Sequence, residues 1–158
     1  AVTLVVMLRG ELGLGAASLY GVVQIIGCIC GVWVAHAMFA LPILQTSTHA
    51  RAGSAQMLSE AVATFALLFT IMMVSRWRSD AVAAAVALVI TAGYWWTAST
   101  SFANPAITVA RALSDTFAGI RPQDAPGFVI SQFAGALAAW AVCAFLAPPS
   151  SAPSAADR

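Results

Sequence analysis

The sequence contains no lysine and few charged residues of any kind. Seven arginines and six acidic residues make up only 8% of the 158 residues, whereas a soluble domain carries about 25% charged residues. This scarcity argues against an ordinary soluble protein. The near-zero net charge also argues against a nucleic-acid partner, which requires a clustered basic surface.

The sequence also lacks the residue combinations of an enzyme. No nucleophile–base pair and no metal-binding cluster is visible, so we expect no enzymatic activity, no catalytic residue, no cofactor and no metal. Of the three cysteines, Cys28 and Cys30 lie two residues apart in an apolar run and would point to different faces of a helix. We expect Cys28, Cys30 and Cys143 to be small buried hydrophobic residues.

The start of the sequence has neither a methionine nor the features of a signal peptide. It begins with Ala1-Val2-Thr3-Leu4, inside an apolar segment. We therefore expect the chain to be a fragment that is truncated at its N-terminus.

Long apolar runs are what the sequence does contain, since 61% of the residues are hydrophobic. A membrane-spanning helix needs about 20 mostly apolar residues. The runs predict a multi-pass protein of the cell membrane, in contact with the lipid bilayer. The spans are expected at about 16–40, 56–76, 81–98 and 126–147, followed by a disordered tail at 148–158 that is rich in proline, serine and alanine.

One apolar segment, 105–115, is too short to cross the bilayer. At about 1.5 Å per residue, a helix of this length reaches roughly halfway. It starts favourably, with Asn104 at the cap and Pro105 at the first helical position. A polar, loop-like stretch precedes it. This pattern predicts a re-entrant half-helix, which persists at membrane depth only when it is buried in protein or lines a cavity.

Two parts of the sequence resemble each other. Ala1-Val2-Thr3-Leu4 matches Ala106-Ile107-Thr108-Val109, and Gln24-Ile25-Ile26-Gly27 matches Gln132-Phe133-Ala134-Gly135. An odd number of predicted crossings separates the two Gln-x-x-Gly spans, so the copies should run in opposite directions. The repeat therefore predicts a first half-helix at 1–9, with its N-terminus meeting that of the second half-helix.

Asn104-Pro105-Ala106 at the start of a re-entrant helix resembles the Asn-Pro-Ala box of the aquaporin and glyceroporin (major intrinsic protein) superfamily. The resemblance, to a bacterial-type member, covers about residues 1–147. It implies an all-α membrane protein: a right-handed helical bundle with an inverted repeat and two re-entrant half-helices, here without the first two spans. It also implies a homotetramer when the protein is full length, with one pore in each subunit.

The resemblance assigns the pore position to Asn104, Pro105, Ala106 and Ala1. The Asn104 amide would donate a hydrogen bond to the passing solute, a role that is compatible with capping the half-helix. Glu60 is expected to be a buried structural acceptor for the amides of the re-entrant loop, with a proton relay as the alternative.

Selectivity is where this sequence departs from the family. Most relatives have an arginine directly after the box, but here the residue is Ile107. The loop position of the constriction is Ser101, and the position on the next-to-last span is Ala92 or Gly93. These residues predict a wide, weakly polar constriction that passes uncharged solutes: water, glycerol, urea and neutral metalloid hydroxides such as arsenite.

Two residues allow more than one interpretation. Arg111 either pairs with Asp115 at the surface or swings inward toward the constriction. His36 is either an interfacial or core histidine, which we favour, or a pH gate.

The passive channel itself has two alternatives. One is a secondary transporter, a class that also uses inverted repeats, and the other is a non-conducting truncated fragment. The arginine distribution predicts that Arg9, Arg76 and Arg78 face the cytoplasm and that Arg51 and Arg121 face the other side.

Overall fold

A computed structural model describes residues 1–146, and every regular element in that range is helical. The predicted tail at 148–158 lies outside the described residues. Within residues 1–146, four helical segments are long and apolar enough to cross a membrane, one of them (Ser79–Trp96) formed by a 3₁₀ turn together with the helix that follows it. The chain is therefore a multi-pass membrane protein. The elements are α1 (Val2–Leu8), α2 (Leu14–Met38), α3 (Ser54–Trp77), a 3₁₀ turn (Ser79–Ala81), α4 (Val82–Trp96), α5 (Pro105–Arg111) and α6 (Ala125–Leu146).

The second half-helix, α5, is shorter than the predicted segment 105–115, because it ends at Arg111. Its last turn tightens as the amide of Leu113 bonds the carbonyl of Ala110 and that of Ser114 bonds the carbonyl of Arg111. The next amide, at Asp115, then donates to the side chain of Gln45 instead of continuing the helix. The amides after the helix are therefore satisfied by 3₁₀ hydrogen bonds and then by a side chain from another segment.

The helices interlock across the two halves of the sequence. α3 packs along α6 and α4, while α2 packs on α5 and α1 contacts both α2 and α6. A close crossing lies at Gly135 of α6, where a Cβ atom would be 2.1 Å from the carbonyl oxygen of Ala61. Only glycine allows α3 and α6 to approach this closely.

We call the end of the molecule that holds His36, Arg51 and the loop 112–124 the outer end. The opposite end, which holds Arg9 and Arg76, is the inner end. The segments after α2 and after α5 are tied together at the outer end: the amide of Ser47 donates to the carbonyl of Ala112.

The expectation for the cysteines was only partly correct. Cys143 is buried in α6, but Cys30 is exposed and Cys28 is only partly buried on α2. The expectation was wrong for Cys28 and Cys30 because no described helix covers that face of α2.

Candidate pore

The loop before α5 is held in an unusual backbone conformation. Thr100, Ser101 and Ala103 all have positive φ angles, between 48° and 60°, a region that non-glycine residues seldom adopt. Glu60 of α3, which is fully buried, stabilises this conformation. One of its carboxylate oxygens accepts the amide of Phe102 at 3.2 Å and the other accepts the amide of Ala103.

The same carboxylate is the first member of a buried hydrogen-bond chain. The Gln132 side chain on α6 donates to Glu60 and to the Thr108 hydroxyl, both at 2.8 Å. The Thr108 hydroxyl in turn donates to the carbonyl of Asn104 at 3.1 Å. This series of hydrogen bonds joins α3, α6 and α5 and holds the backbone carbonyl of Asn104 in place.

The first copy of the repeat contains the equivalent hydrogen bond. The Gln24 side chain on α2 donates to the Thr3 hydroxyl on α1 at 3.1 Å. Thr3 and Gln24 are the residues that the sequence repeat aligns with Thr108 and Gln132. Each long helix of the repeat therefore holds the half-helix of its own copy through the same two residue types.

Asn104 caps α5, and half of its amide group remains available. Its side-chain oxygen accepts the amide of Ala106 at 2.9 Å, which satisfies one of the unpaired amides at the helix start. Its NH₂ group donates to no atom within residues 1–146. That group therefore remains available as a hydrogen-bond donor.

The two half-helices meet at a pair of cavities. One, of about 280 Å³, is lined by Ala1 and by Asn104, Pro105 and Ala106. The other, of about 310 Å³, again contains Ala1 and Asn104, together with residues from the re-entrant loop and from α4. The four residues that the sequence assigned to the pore position therefore lie around one space, although Ala1 is about a hundred residues away from the other three in the chain.

The second cavity also holds two of the four predicted constriction residues. Ile107 and Ser101 line it, but Ala92 and Gly93 do not. Gly93 lies behind Ser101, where a Cβ atom would be 2.6 Å from the serine hydroxyl oxygen, and Ala92 is exposed. From α4, the residues that reach the cavity are Ile90 and Tyr94.

The interpretation of Arg111 as a surface ion pair was wrong. Asp115 accepts the amide and the hydroxyl of Thr48, at 2.7 and 2.9 Å, and these hydrogen bonds hold the pKa of Asp115 below its usual value. Arg111 instead turns toward Phe102, with its Cζ atom 4.3 Å from the ring centroid, and lines the second cavity.

Arg51 holds the outer end together. Its guanidinium donates to the carbonyls of Gly119, Phe117 and Ser99 at 2.7, 2.8 and 3.2 Å. Burial lowers the pKa of Arg51, and the nearby charge of Arg111 lowers it further. Arg51 therefore joins the re-entrant loop, at Ser99, to the loop 112–124.

His36 is a core histidine at the outer end of α2, with 2% of its surface exposed. Its Nδ1 atom donates to the carbonyl of Ile43 at 2.9 Å, because a carbonyl can only accept. Its Nε2 atom lies 3.0 Å from the Ser114 hydroxyl. Both ring nitrogens are thus bonded, which ties α2 to the loop that follows α5.

Sequence reasoning missed some of the residues that shape the cavity. In the sequence, Arg51 stands out only as a charge, and no motif marks Phe102. The available signal for Phe102 was its place two residues before Asn104, in the loop whose amides Glu60 was expected to bind. The threonine and glutamine of one repeat match those of the other in the sequence, but the match does not show that they are hydrogen-bond partners.

Comparison with known proteins gives one informative match. The chain is 49% identical over 149 residues to an aquaglyceroporin, AqpS, of Rhizobium meliloti (strain 1021). The match covers 94% of this chain and 64% of the relative, so the chain spans less than two thirds of that protein's length. No protein-family model matches the chain, and no solved structure matches it.

Proposed function

Since the chain belongs to the aquaporin (major intrinsic protein) superfamily, we propose that it forms part of a passive channel for small uncharged solutes, including solutes larger than water. The observation that carries the proposal is the cavity of about 310 Å³ at which both half-helices begin. Asn104 faces this cavity with an unused NH₂ group. The positive ends of two helices at one place disfavour cations and leave neutral solutes as the permeant class.

The residue after Ala106 supports the wider solute range. Ile107 has no charge and no hydrogen-bonding group, and it lines the cavity beside Ser101, a small residue. A cavity surface of this kind offers few hydrogen bonds by which one uncharged solute could be distinguished from another. The solutes that we propose are glycerol, urea, neutral metalloid hydroxides such as arsenite, and water. Glycerol has the additional support of the relative's name, aquaglyceroporin.

The assembly and location form part of the same proposal. We place the whole protein in the cell membrane as a homotetramer, with one pore in each subunit and no enzymatic step. A secondary transporter differs in a measurable way, because its uptake saturates and depends on a coupling ion, whereas flux through a channel follows the solute gradient over a wide range.

Swelling of proteoliposomes that contain the full-length protein tests the proposal. We expect glycerol and urea to enter faster than in empty vesicles. Ile107→Arg should reduce both rates by about tenfold, which corresponds to roughly 1.4 kcal/mol of barrier height, because the guanidinium would narrow and charge the cavity. Ile107→Val is the matched control and should change neither rate by much. Unchanged solute rates in a correctly inserted Ile107→Arg protein would refute the proposed role of this position.

A further inference from the structure

Two arginines at the outer end contact the same aromatic ring. The Cζ atoms of Arg111 and Arg51 lie 4.3 and 5.0 Å from the centroid of Phe102. Both distances are within the range in which a guanidinium is attracted to an aromatic face. Two like charges on one ring repel each other, so the arrangement requires that something else hold each of them in place.

Phe102 is a fixed platform for these cations. Its ring is 3% exposed and packs edge-on against Phe128, with the ring centroids 5.3 Å apart. Its backbone amide donates to the carboxylate of Glu60. The ring therefore cannot follow a moving arginine, and an arginine stacked on it has a defined position.

The two arginines use their hydrogen-bond donors differently. Arg51 is 5% exposed and donates to three backbone carbonyls. Arg111 is partly exposed, and its guanidinium donates to no atom within residues 1–146. It lines the cavity that contains Ile107, Ser101 and Asn104. Arg51 is thus a structural cation, whereas Arg111 presents unused N–H donors and a full charge to the cavity.

We propose that Arg111, stacked on Phe102, adds a second barrier to cations beyond that of the helix N-termini at Asn104, and that it donates hydrogen bonds to the hydroxyl groups of the channel's solutes. This inference rests on the proposed channel function. A guanidinium keeps its charge at all physiological pH values and offers up to five donors in a rigid plane. Its position one helical turn beyond Ile107 leaves the width at Ile107 unchanged, so the pore stays wide enough for polyols while it still rejects cations.

Arg51 is a positioning residue in this arrangement. It orders the loop segments around Phe117 and Gly119, and its own charge adds to the positive potential that a cation meets at the outer end. Because Arg51 is 5% exposed and does not line the cavity, its contribution is to the electrostatic barrier and to the shape of the site.

The test uses the full-length protein in proteoliposomes, with glycerol-driven swelling and voltage-driven potassium leak measured on the same vesicles. Arg111→Ala and Arg111→Gln should each raise the potassium leak by about tenfold or more, while glycerol still passes. Arg111→Lys retains the charge, so it should keep potassium out, but it should slow glycerol relative to urea because the planar donors are lost. Arg121→Gln removes a positive charge at the same end, one that pairs with Asp124, and should leave both readouts near wild type.

The outcomes separate this inference from the function on which it rests. If the wild-type protein passes no neutral solute, the proposed channel function fails and the role of Arg111 fails with it. If the wild type passes glycerol but both neutral variants exclude potassium as well as it does, only the role of Arg111 is overturned. A potassium leak through Arg111→Lys equal to that of Arg111→Gln would also overturn it, because the charge would then not be the cause.

Discussion

The two copies of the repeat contain the same residues but are held with different strength. In the first copy, Gln24 is partly exposed and donates to Thr3 at 3.1 Å. In the second, Gln132 is fully buried and donates to Thr108 and to Glu60, both at 2.8 Å. Burial and a carboxylate partner make the second arrangement the stronger one.

The glycine of each Gln-x-x-Gly motif shows the same difference. A Cβ atom at Gly135 would collide with the backbone of Ala61, whereas a Cβ atom at Gly27 would meet nothing within 4 Å in the described residues. The repeated motif therefore sets the geometry within each copy. How much the motif contributes to the free energy of unfolding depends on which other helices pack against that copy.

The largest effect that we predict comes from removing the acceptor at the centre of the second copy. Glu60→Ala leaves the amides of Phe102 and Ala103 and the Gln132 side chain without their partner in a buried place. At about 1–3 kcal/mol for each unsatisfied donor, the free energy of unfolding should fall by at least about 3 kcal/mol. The measurement is the unfolding midpoint of the protein in detergent micelles.

Glu11→Ala is the matched control for this loss. Glu11 is exposed and pairs with Arg9 at the inner end, so its removal should change the free energy of unfolding by less than about 1 kcal/mol. Equal midpoints for Glu60→Ala and Glu11→Ala would show that the buried hydrogen-bond chain does not stabilise the second copy.

A smaller effect should separate the two glutamines directly. Gln132→Leu leaves Thr108 and Glu60 without their donor in a buried site, so we expect a loss of about 1–3 kcal/mol. Gln24→Leu removes a single, partly exposed hydrogen bond, and we expect about 0.5–1 kcal/mol. The two substitutions have the same chemistry, so each serves as the control for the other in the same unfolding measurement. A larger loss for Gln24→Leu than for Gln132→Leu would contradict the ranking of the two copies.

The sequence predicted most of the fold because length and hydropathy determine membrane helices directly. Each predicted span overlaps the observed helix, and the Asn-Pro start of α5 is where the pattern placed it. The end of α5 could not be found in the same way. The chain leaves the helix through 3₁₀ hydrogen bonds at Leu113 and Ser114, and the amide of Asp115 then bonds Gln45, 70 residues away in the chain.

The candidate site was predictable only where a motif carries it. Asn104 and Ile107 follow from the Asn-Pro-Ala box, and both line the cavity. The orientation of Arg111 depends on the ring of Phe102 and on the fact that Thr48 already occupies Asp115. Neither interaction leaves a periodic signal in the sequence. Similarly, counting along α4 suggested Ala92 or Gly93, whereas the rotation of the helix brings Ile90 and Tyr94 to the cavity.

The cap of the second half-helix combines a small predicted effect on stability with a large predicted change in selectivity. α5 is capped by the Asn104 side chain, whereas α1 has no side-chain cap at Ala1. Asn104→Ala gives α5 an uncapped start and should lower the free energy of unfolding by about 1 kcal/mol.

Asn104→Asp keeps the accepting oxygen and should leave the free energy of unfolding nearly unchanged. It also replaces the free NH₂ group with a carboxylate in the cavity, where a negative charge counteracts the positive helix ends and admits cations. We therefore expect potassium leak in Asn104→Asp vesicles but not in Asn104→Ala vesicles. Equal leak in the two variants would mean that the cap, and not the charge at this position, controls which solutes pass.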